Sequence, residues 1–192
     1  MPFSIEQGDG AVCAGCLADP PVHDGVRAAV AYGDVARDLA LKLKYGGRVW
    51  LAGLLAGHLQ RFLPEDRDGL IIAPVPLHWS RLWARGFNQS ALIAAALHKR
   101  AGNGSIAIPD LLVRHKRTPP LRAMNPGQRA RTVAGAFRVH SFHGERVKGA
   151  RIILIDDVFT SGATADACVR ALRRAGVAWV QVVCWARVLP ER

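Results

Sequence analysis

Nine consecutive residues, Asp156-Asp157-Val158-Phe159-Thr160-Ser161-Gly162-Ala163-Thr164, concentrate the chemistry of this 192-residue chain. Two carboxylates are followed, after two apolar residues, by two hydroxyls, a glycine, an alanine and a third hydroxyl. Gly162 has no Cβ, so its backbone can take positive φ and approach a ligand closely. A helix starting there would point its first-turn N–H groups outward with partial positive charge. Amides and hydroxyls of Thr160, Ser161, Gly162, Ala163 and Thr164 can then wrap a phosphate dianion. Asp156 and Asp157 would repel that phosphate directly. They suit the hydroxyls of a sugar beside it, alone or with the help of a divalent cation. One ribose phosphate satisfies both halves of the run. The plainer reading, strand-end carboxylates and a Thr160 or Ser161 helix cap, explains the pieces but not their sequence.

The elements that must hold this run flank it. Ile152-Ile153-Leu154-Ile155 has the length and branching of a buried strand ending on the acids, and residues 165–175 fit a helix packed on a sheet. Residues 26–32 predict a strand, Asp34 a helix cap and residues 35–44 an amphipathic helix ending near Gly46-Gly47. Residues 50–62 predict a second helix with Leu51, Leu54, Leu55 and Leu59 on one face. Lys42, Lys44, Tyr45 and Arg48 gather at the turn between them, either to touch an anionic ligand or as a solvated basic helix end. Residues 70–75 predict a buried strand that Pro74-Val75-Pro76 stops.

The turn that follows carries Arg81 and Arg85, large aromatics around Gly86, and Asn88-Gln89 before a helix over residues 90–100. Arginines near a strand's carboxyl end suit a pyrophosphate, which the guanidinium fork binds bidentately; a plain surface loop is the alternative. Residues 106–113 predict a short strand, residues 133–139 a strand returning to the sheet, residues 140–148 a polar turn, and residues 178–188 a last strand with Trp179, Cys184 and Trp185 packed inside. Strands alternating with helices imply an α/β fold, its mostly parallel sheet covered on both faces and its ligands at the strands' carboxyl ends.

Between Arg114 and Arg131 the chain is long, Pro-interrupted and basic, with Arg114, Lys116, Arg117, Arg122, Arg129 and Arg131. Such a segment serves as a mobile lid over a phosphate site or as a nucleic-acid arm. Lys plus Arg number 26 against 15 Asp plus Glu, a net charge of +11. That balance favours anionic partners, phosphorylated metabolites or nucleic acid; an arginine-rich surface with no specific partner is the alternative. No apolar stretch reaches the roughly 18 residues that span a bilayer, and the first ten residues lack the features of a signal peptide, so a cytoplasmic protein without membrane insertion is expected. Cys168 and Cys184 fall in apolar segments, which predicts reduced thiols. Residues 1–24 stand apart from residues 25–192: they hold a single Cys13-Ala14-Gly15-Cys16 knuckle, half of a tetrahedral zinc site with His23 as a third ligand, or a pair without metal.

The run from Asp156 to Thr164 resembles the phosphoribosyl-pyrophosphate (PRPP) motif of type I phosphoribosyltransferases, an apolar strand, two acids and a Thr/Ser-Gly-x-Thr loop. With the CxxC knuckle, LKLKYGGR, PVPLHWSRLWARGFNQS, RTPPLRAMNPGQRARTVAGAF and ILIDDVFTSGAT in this order, the chain resembles the ComF/GntX family, phosphoribosyltransferase-like proteins linked to natural DNA uptake. The resemblance implies the type I phosphoribosyltransferase fold with a small N-terminal CxxC appendage. It places the ribose hydroxyls on Asp156 and Asp157, the catalytic pair, and the 5-phosphate on residues 160–164. It makes Pro76, Leu77, Arg81, Arg85, Asn88 and Gln89 the pyrophosphate loop, and Lys116, Arg117, Arg129 and Arg131 part of a flexible lid. The implied reaction is displacement of pyrophosphate from PRPP, bound with Mg²⁺, by an acceptor through an oxocarbenium-like transition state. Members of the family commonly carry two CxxC pairs that build a zinc ribbon. Here only Cys13 and Cys16 remain, which leaves Zn²⁺ two thiolates short. The implied alternative is a PRPP sensor or a scaffold for single-stranded DNA and DNA-uptake proteins, with Trp79 and Trp83 beside arginines for stacking on bases.

Overall fold

The β-branched runs form the middle of a five-stranded sheet in the order β1-β7-β6-β2-β3, with every pair parallel. A computed structural model describes residues 20–119 and 124–189. Cys13 and Cys16 lie outside the described residues. The strands are β1 (Gly25–Ala31), β2 (Ile71–Pro74), β3 (Ile106–Ala107), β6 (Arg151–Phe159) and β7 (Trp179–Arg187). On one face, Cys168, Val169 and Leu172 of α6 (Ala163–Arg174) pack on Ile152 and Leu154 of β6 and on Val180 and Val182 of β7. On the other, α1 (Asp34–Tyr45), α2 (Leu51–Leu59) and α4 (Gln89–Ala101) bring Leu43, Leu55 and Ile93 onto Ile153 and Ile155. Each fully buried Leu or Ile contributes about 1.5–3 kcal/mol, so this sandwich fixes β6 firmly in the centre.

Several expectations are corrected. β6 does not end on the acids: it pairs with β7 through Asp156↔Cys184 to Phe159↔Arg187, while its other neighbour, β2, stops at Pro74↔Ile155. The carboxylates therefore stand where one flanking strand has turned away. Strict alternation would pack Phe159 with Ile153 and Ile155, yet it joins Ile152 and Leu154 on the opposite face, so the strand slips phase across the acid pair. Residues 106–113 are not one strand. Pro109-Asp110 divides them, leaving β3 in the parallel sheet and β4 (Leu112–Arg114) in a separate antiparallel pair with β5 (Phe137–Val139). Residues 133–139 accordingly do not return to the main sheet.

Two segments expected as loops contain helices. The turn after β2 folds into α3 (Trp79–Arg85), capped by His78, whose Nδ1 accepts from Ser80 N, and stopped by Gly86 at φ 77°. None of the seven residues of α3 is buried, so no apolar period announced it. The second half of the basic segment is α5 (Pro126–Val133), started by a capping box in which Asn125 and Gln128 exchange side-chain to backbone bonds of 2.9 Å. Asp34 is the first residue of α1 and not its cap, which is Gly33; Leu54 is 45% exposed and outside the core. The predicted second helix ends in a 3₁₀ turn, Gln60–Phe62. Cys168 and Cys184 are buried free thiols, as expected. Among the described residues no helix is long and apolar enough to cross a membrane.

Candidate functional site

At the carboxyl end of β6 the two adjacent acids have different partners. Asp156 Oδ1 accepts from the backbone N of Asp157 at 2.9 Å and from Ser90 Oγ at 3.3 Å. The Asp157 carboxylate is held by Lys44 Nζ at 2.5 Å, from the last turn of α1. Burial, and then the charge of Asp157, pushes the Asp156 carboxyl up to about 7, against the pull of Lys44.

The hydroxyl and glycine run turns directly from β6 into α6. Gly162 sits at φ 80° as the N-cap residue, with no side chain capping the helix. A Cβ there would lie 2.8 Å from Phe159 Cζ, so the ring closes the floor of the turn and leaves room for glycine alone. Asp156, residues 158–165 and Arg129 line one concave depression. Asp157 does not line it. Backbone amides at a helix start, two exposed hydroxyl residues and a guanidinium are the donor set that a phosphate takes.

Arg129, expected in a lid, instead reaches this loop from α5: it donates from Nη1 to Thr160 Oγ1 at 3.3 Å and from Nε to Met124 O at 2.9 Å. The other lid residues, Lys116, Arg117 and Arg131, are exposed to solvent and do not line the depression. Of the expected pyrophosphate loop, Asn88 is architectural: its Nδ2 donates to Val75 O and its Oδ1 accepts from Ser90 N, both at 3.0 Å. That bond aims Ser90 at Asp156. Gln89 is buried beside it, and Pro76 is buried at the turn while Leu77 is half-buried. Arg85 donates to Tyr45 Oη at 3.1 Å and to Gln89 Oε1 at 3.4 Å; Arg81 donates to Thr118 O at 3.2 Å.

The turn is strongly positive. Arg114, buried at 6% exposure, donates to Thr118 Oγ1 and lies over the Phe137 ring, 5.2 Å from its centroid. Burial and the charge of Arg81 hold the Arg114 pKa down, and burial and the charge of Arg85 do the same for Arg81. Burial, then Arg114, Arg117 and Arg81, hold His78 below its ordinary value. This cationic group and the acid pair face the same end of the sheet, since β2 and β6 run parallel and the turn follows β2 directly.

Lys44 and Ser90 are the site residues least visible in the sequence. In the sequence Lys44 belongs to a basic cluster that suits either an anionic ligand or a solvated helix end, and Ser90 only opens a predicted helix. The one sequence signal for either was proximity to the motifs LKLKYGGR and RGFNQS. His23, the third zinc ligand of the sequence reading, is half-buried edge-on to Phe159, with ring centroids 6.4 Å apart. Among the described residues no group of three or more His, Cys, Asp or Glu is arranged to hold a metal.

No family model matches the sequence. The DNA utilization protein YhgH of Salmonella typhi is 31% identical over 183 residues, a match that covers 92% of this chain and 78% of that protein. Competence protein F of Haemophilus influenzae is 30% identical over 189 residues, covering 91% and 78%. Among solved structures, a glutamine PRPP amidotransferase from B. subtilis, complexed with ADP and GMP, aligns with a TM-score of 0.48 and 16% identity over 76% of this chain and 30% of that one. A hypoxanthine phosphoribosyltransferase from Staphylococcus aureus aligns with a TM-score of 0.38 and 12% identity over 82% and 76%. By its likeness to the curated proteins along most of both lengths, the chain belongs to the ComF family, that of competence protein F and the DNA utilization protein YhgH.

Proposed function

We propose that this chain is a phosphoribosyltransferase-like protein that binds PRPP and displaces its pyrophosphate with an acceptor. The observation that carries the reading is the direct passage from the acid pair on β6 through an αL glycine into α6, with Arg129 over the loop between them. In this reading the 5-phosphate lies on residues 160–164 and Arg129, and the ribose hydroxyls meet the carboxylate of Asp156. The pyrophosphate extends toward the cationic turn of Arg81 and Arg114. Mg²⁺ would enter with PRPP and would supply charge neutralisation for the leaving pyrophosphate. The protein's own part is electrostatic: arginines stabilise the departing anion, and the basic segment with Lys116 and Arg117 excludes water when it closes.

The deciding experiment is calorimetric titration with PRPP and Mg²⁺, set beside the folded double variant Asp156→Asn, Asp157→Asn and backed by thermal shift at high PRPP. Binding that the variant loses is expected. Neither heat nor stabilisation with the native chain would remove the reading.

A second reading, a scaffold for single-stranded DNA in uptake or utilization, is favoured by α3. Trp79 and Trp83 are 66% and 83% exposed, one turn apart, and interleaved with Arg81 and Arg85. Exposed rings beside guanidinium groups suit sequence-tolerant stacking on bases. The relatives' names, competence and DNA utilization, fit either reading.

A further inference from the structure

The strand β5 is paired on one side only. It bonds to β4, and among the described residues no strand takes its other edge. The register fixes which groups are left over. His115 N donates to Ala136 O and His140 N donates to Leu111 O, so the backbone groups of residues 136, 138 and 140 point to β4. Those of Phe137 and Val139 therefore point the other way. An unpaired row of N–H and C=O groups is a template for one more strand. Side chains alternate along β5: Phe137 and Val139 pack into the core shared with α6, and Arg138 faces solvent.

Beside this edge lies an open cleft of about 330 Å³, bounded by β5, the turn that follows it and the end of α6. Ala171 and Ala175 of α6 line it, and their small side chains leave room for a larger apolar one. Arg138 and Arg174 line it too; both are exposed, and neither has an ion-pair partner among the described residues. The acids of the neighbouring turns are taken, Asp110 by His143 and Glu145 by Lys148. The cleft is thus cationic, with an alanine floor and a free strand edge. It is also remote from the acid pair, because Arg174 lies roughly 16 Å along α6 from Ala163, where the helix leaves the other depression.

We propose that the outer edge of β5 and this cleft bind an extended segment of a partner protein in which acidic and apolar residues alternate. The segment adds a third strand to β4 and β5, its backbone pairing with Phe137 and Val139. The alternation follows from the register. Residues level with Phe137 and Val139 face the alanine floor and are apolar; the residue level with Arg138 stands beside its guanidinium and is acidic, and Arg174 takes a second carboxylate. Charge selects this occupant over a second copy of the chain, which carries +11 and would bring the same arginines to the edge. The free backbone edge selects a peptide over a nucleic acid, which has no strand to add. The site is independent of the ribose-phosphate reading, since it shares no residue with the loop between β6 and α6.

The test uses the full chain and a fluorescein-labelled peptide of about seven residues that alternates aspartate with isoleucine, followed by fluorescence anisotropy. Two controls are a peptide with lysine for aspartate and one of the same composition arranged in an acidic and an apolar block. The alternating peptide is expected to bind, and both controls to bind at least about tenfold more weakly. Arg138→Glu and Arg174→Glu should each weaken the alternating peptide by about tenfold or more. Val139→Pro should do the same without changing charge, because proline there deletes an outward donor and no bond to β4. If that variant does not fold, Arg138→Glu and the block peptide decide. Saturating PRPP should leave the peptide bound; displacement would put it on the cationic turn of Arg81 and overturn the assignment. Equal binding of the block peptide, native affinity in both arginine variants, or no binding of the alternating peptide to the native chain would each overturn it as well. Oligo-dT that binds the native chain but not Arg138→Glu, with the peptide ignored, would give the cleft to nucleic acid instead.

Discussion

The guanidinium of Arg129 donates to Thr160 Oγ1 at 3.3 Å, tying α5 to the first hydroxyl of the loop between β6 and α6. A hydrogen bond to a charged group contributes about 1.5–3 kcal/mol, which corresponds to about 10- to 100-fold in affinity. Arg129→Gln should weaken ribose 5-phosphate binding by that factor while leaving the melting temperature little changed, because the side chain is only half-buried. Titration at low and high salt checks it: the native chain should lose affinity with salt more steeply than the variant. Equal affinities for both proteins would place the phosphate elsewhere.

Gly162 combines a left-handed backbone, φ 80°, with a Cβ position 2.8 Å from Phe159 Cζ. Gly162→Ala should therefore cost about 1–3 kcal/mol in stability from backbone strain alone, with further displacement of the ring. Phosphate binding should be lost as the loop amides are turned. Adding Phe159→Leu removes the contact but not the strain, so the double variant should recover only part of the stability. Urea unfolding of the three proteins measures this, and full recovery would show that the ring, not the backbone, demands glycine.

The centre of the fold was readable because its signals were local and redundant. Ile152 to Ile155 form a branched apolar run, and all four are buried. Asp156 to Thr164 combine acids, hydroxyls and a glycine in one stretch, and the strand-loop-helix passage follows from them. What the sequence concealed depended on partners far along the chain. Lys44 reaches Asp157 across 113 positions, and no periodicity encodes it. α3 was missed because its side chains face solvent or polar groups, so its apolar residues mark no core-facing stripe. The resemblance puts Arg129 in a lid; the capping box at Asn125 and Gln128 is the local sign that a helix carries it.

Asp156 gives a stability signature. Its carboxyl titrates at about 7 in the folded chain against an ordinary 3.8, mainly through burial and then through Asp157. The folded state thus keeps a proton that the unfolded chain releases. The resulting stabilisation is fully present below pH 3.8 and is lost as pH rises through about 7. Asp156→Asn removes this dependence. Urea midpoints between about pH 5 and about pH 8 should fall more steeply for the native chain than for the variant, and the variant should be the more stable at the upper end. Parallel slopes would mean that the carboxyl is ionised throughout.

Trp83 separates the two functional readings. It is 83% exposed on a helix with no buried residue, so Trp83→Ala should change stability by no more than about 0.5 kcal/mol. If α3 is a stacking platform, oligo-dT should quench tryptophan fluorescence, and Trp79→Ala with Trp83→Ala should weaken that binding by about 1–3 kcal/mol per lost stack. The double variant Asp156→Asn, Asp157→Asn should leave oligo-dT affinity at the native level, because the acids lie off α3 and carry no positive charge. DNA binding that survives loss of both tryptophans but falls with salt would instead assign it to the general excess of +11, and α3 would lose its claim to the strand.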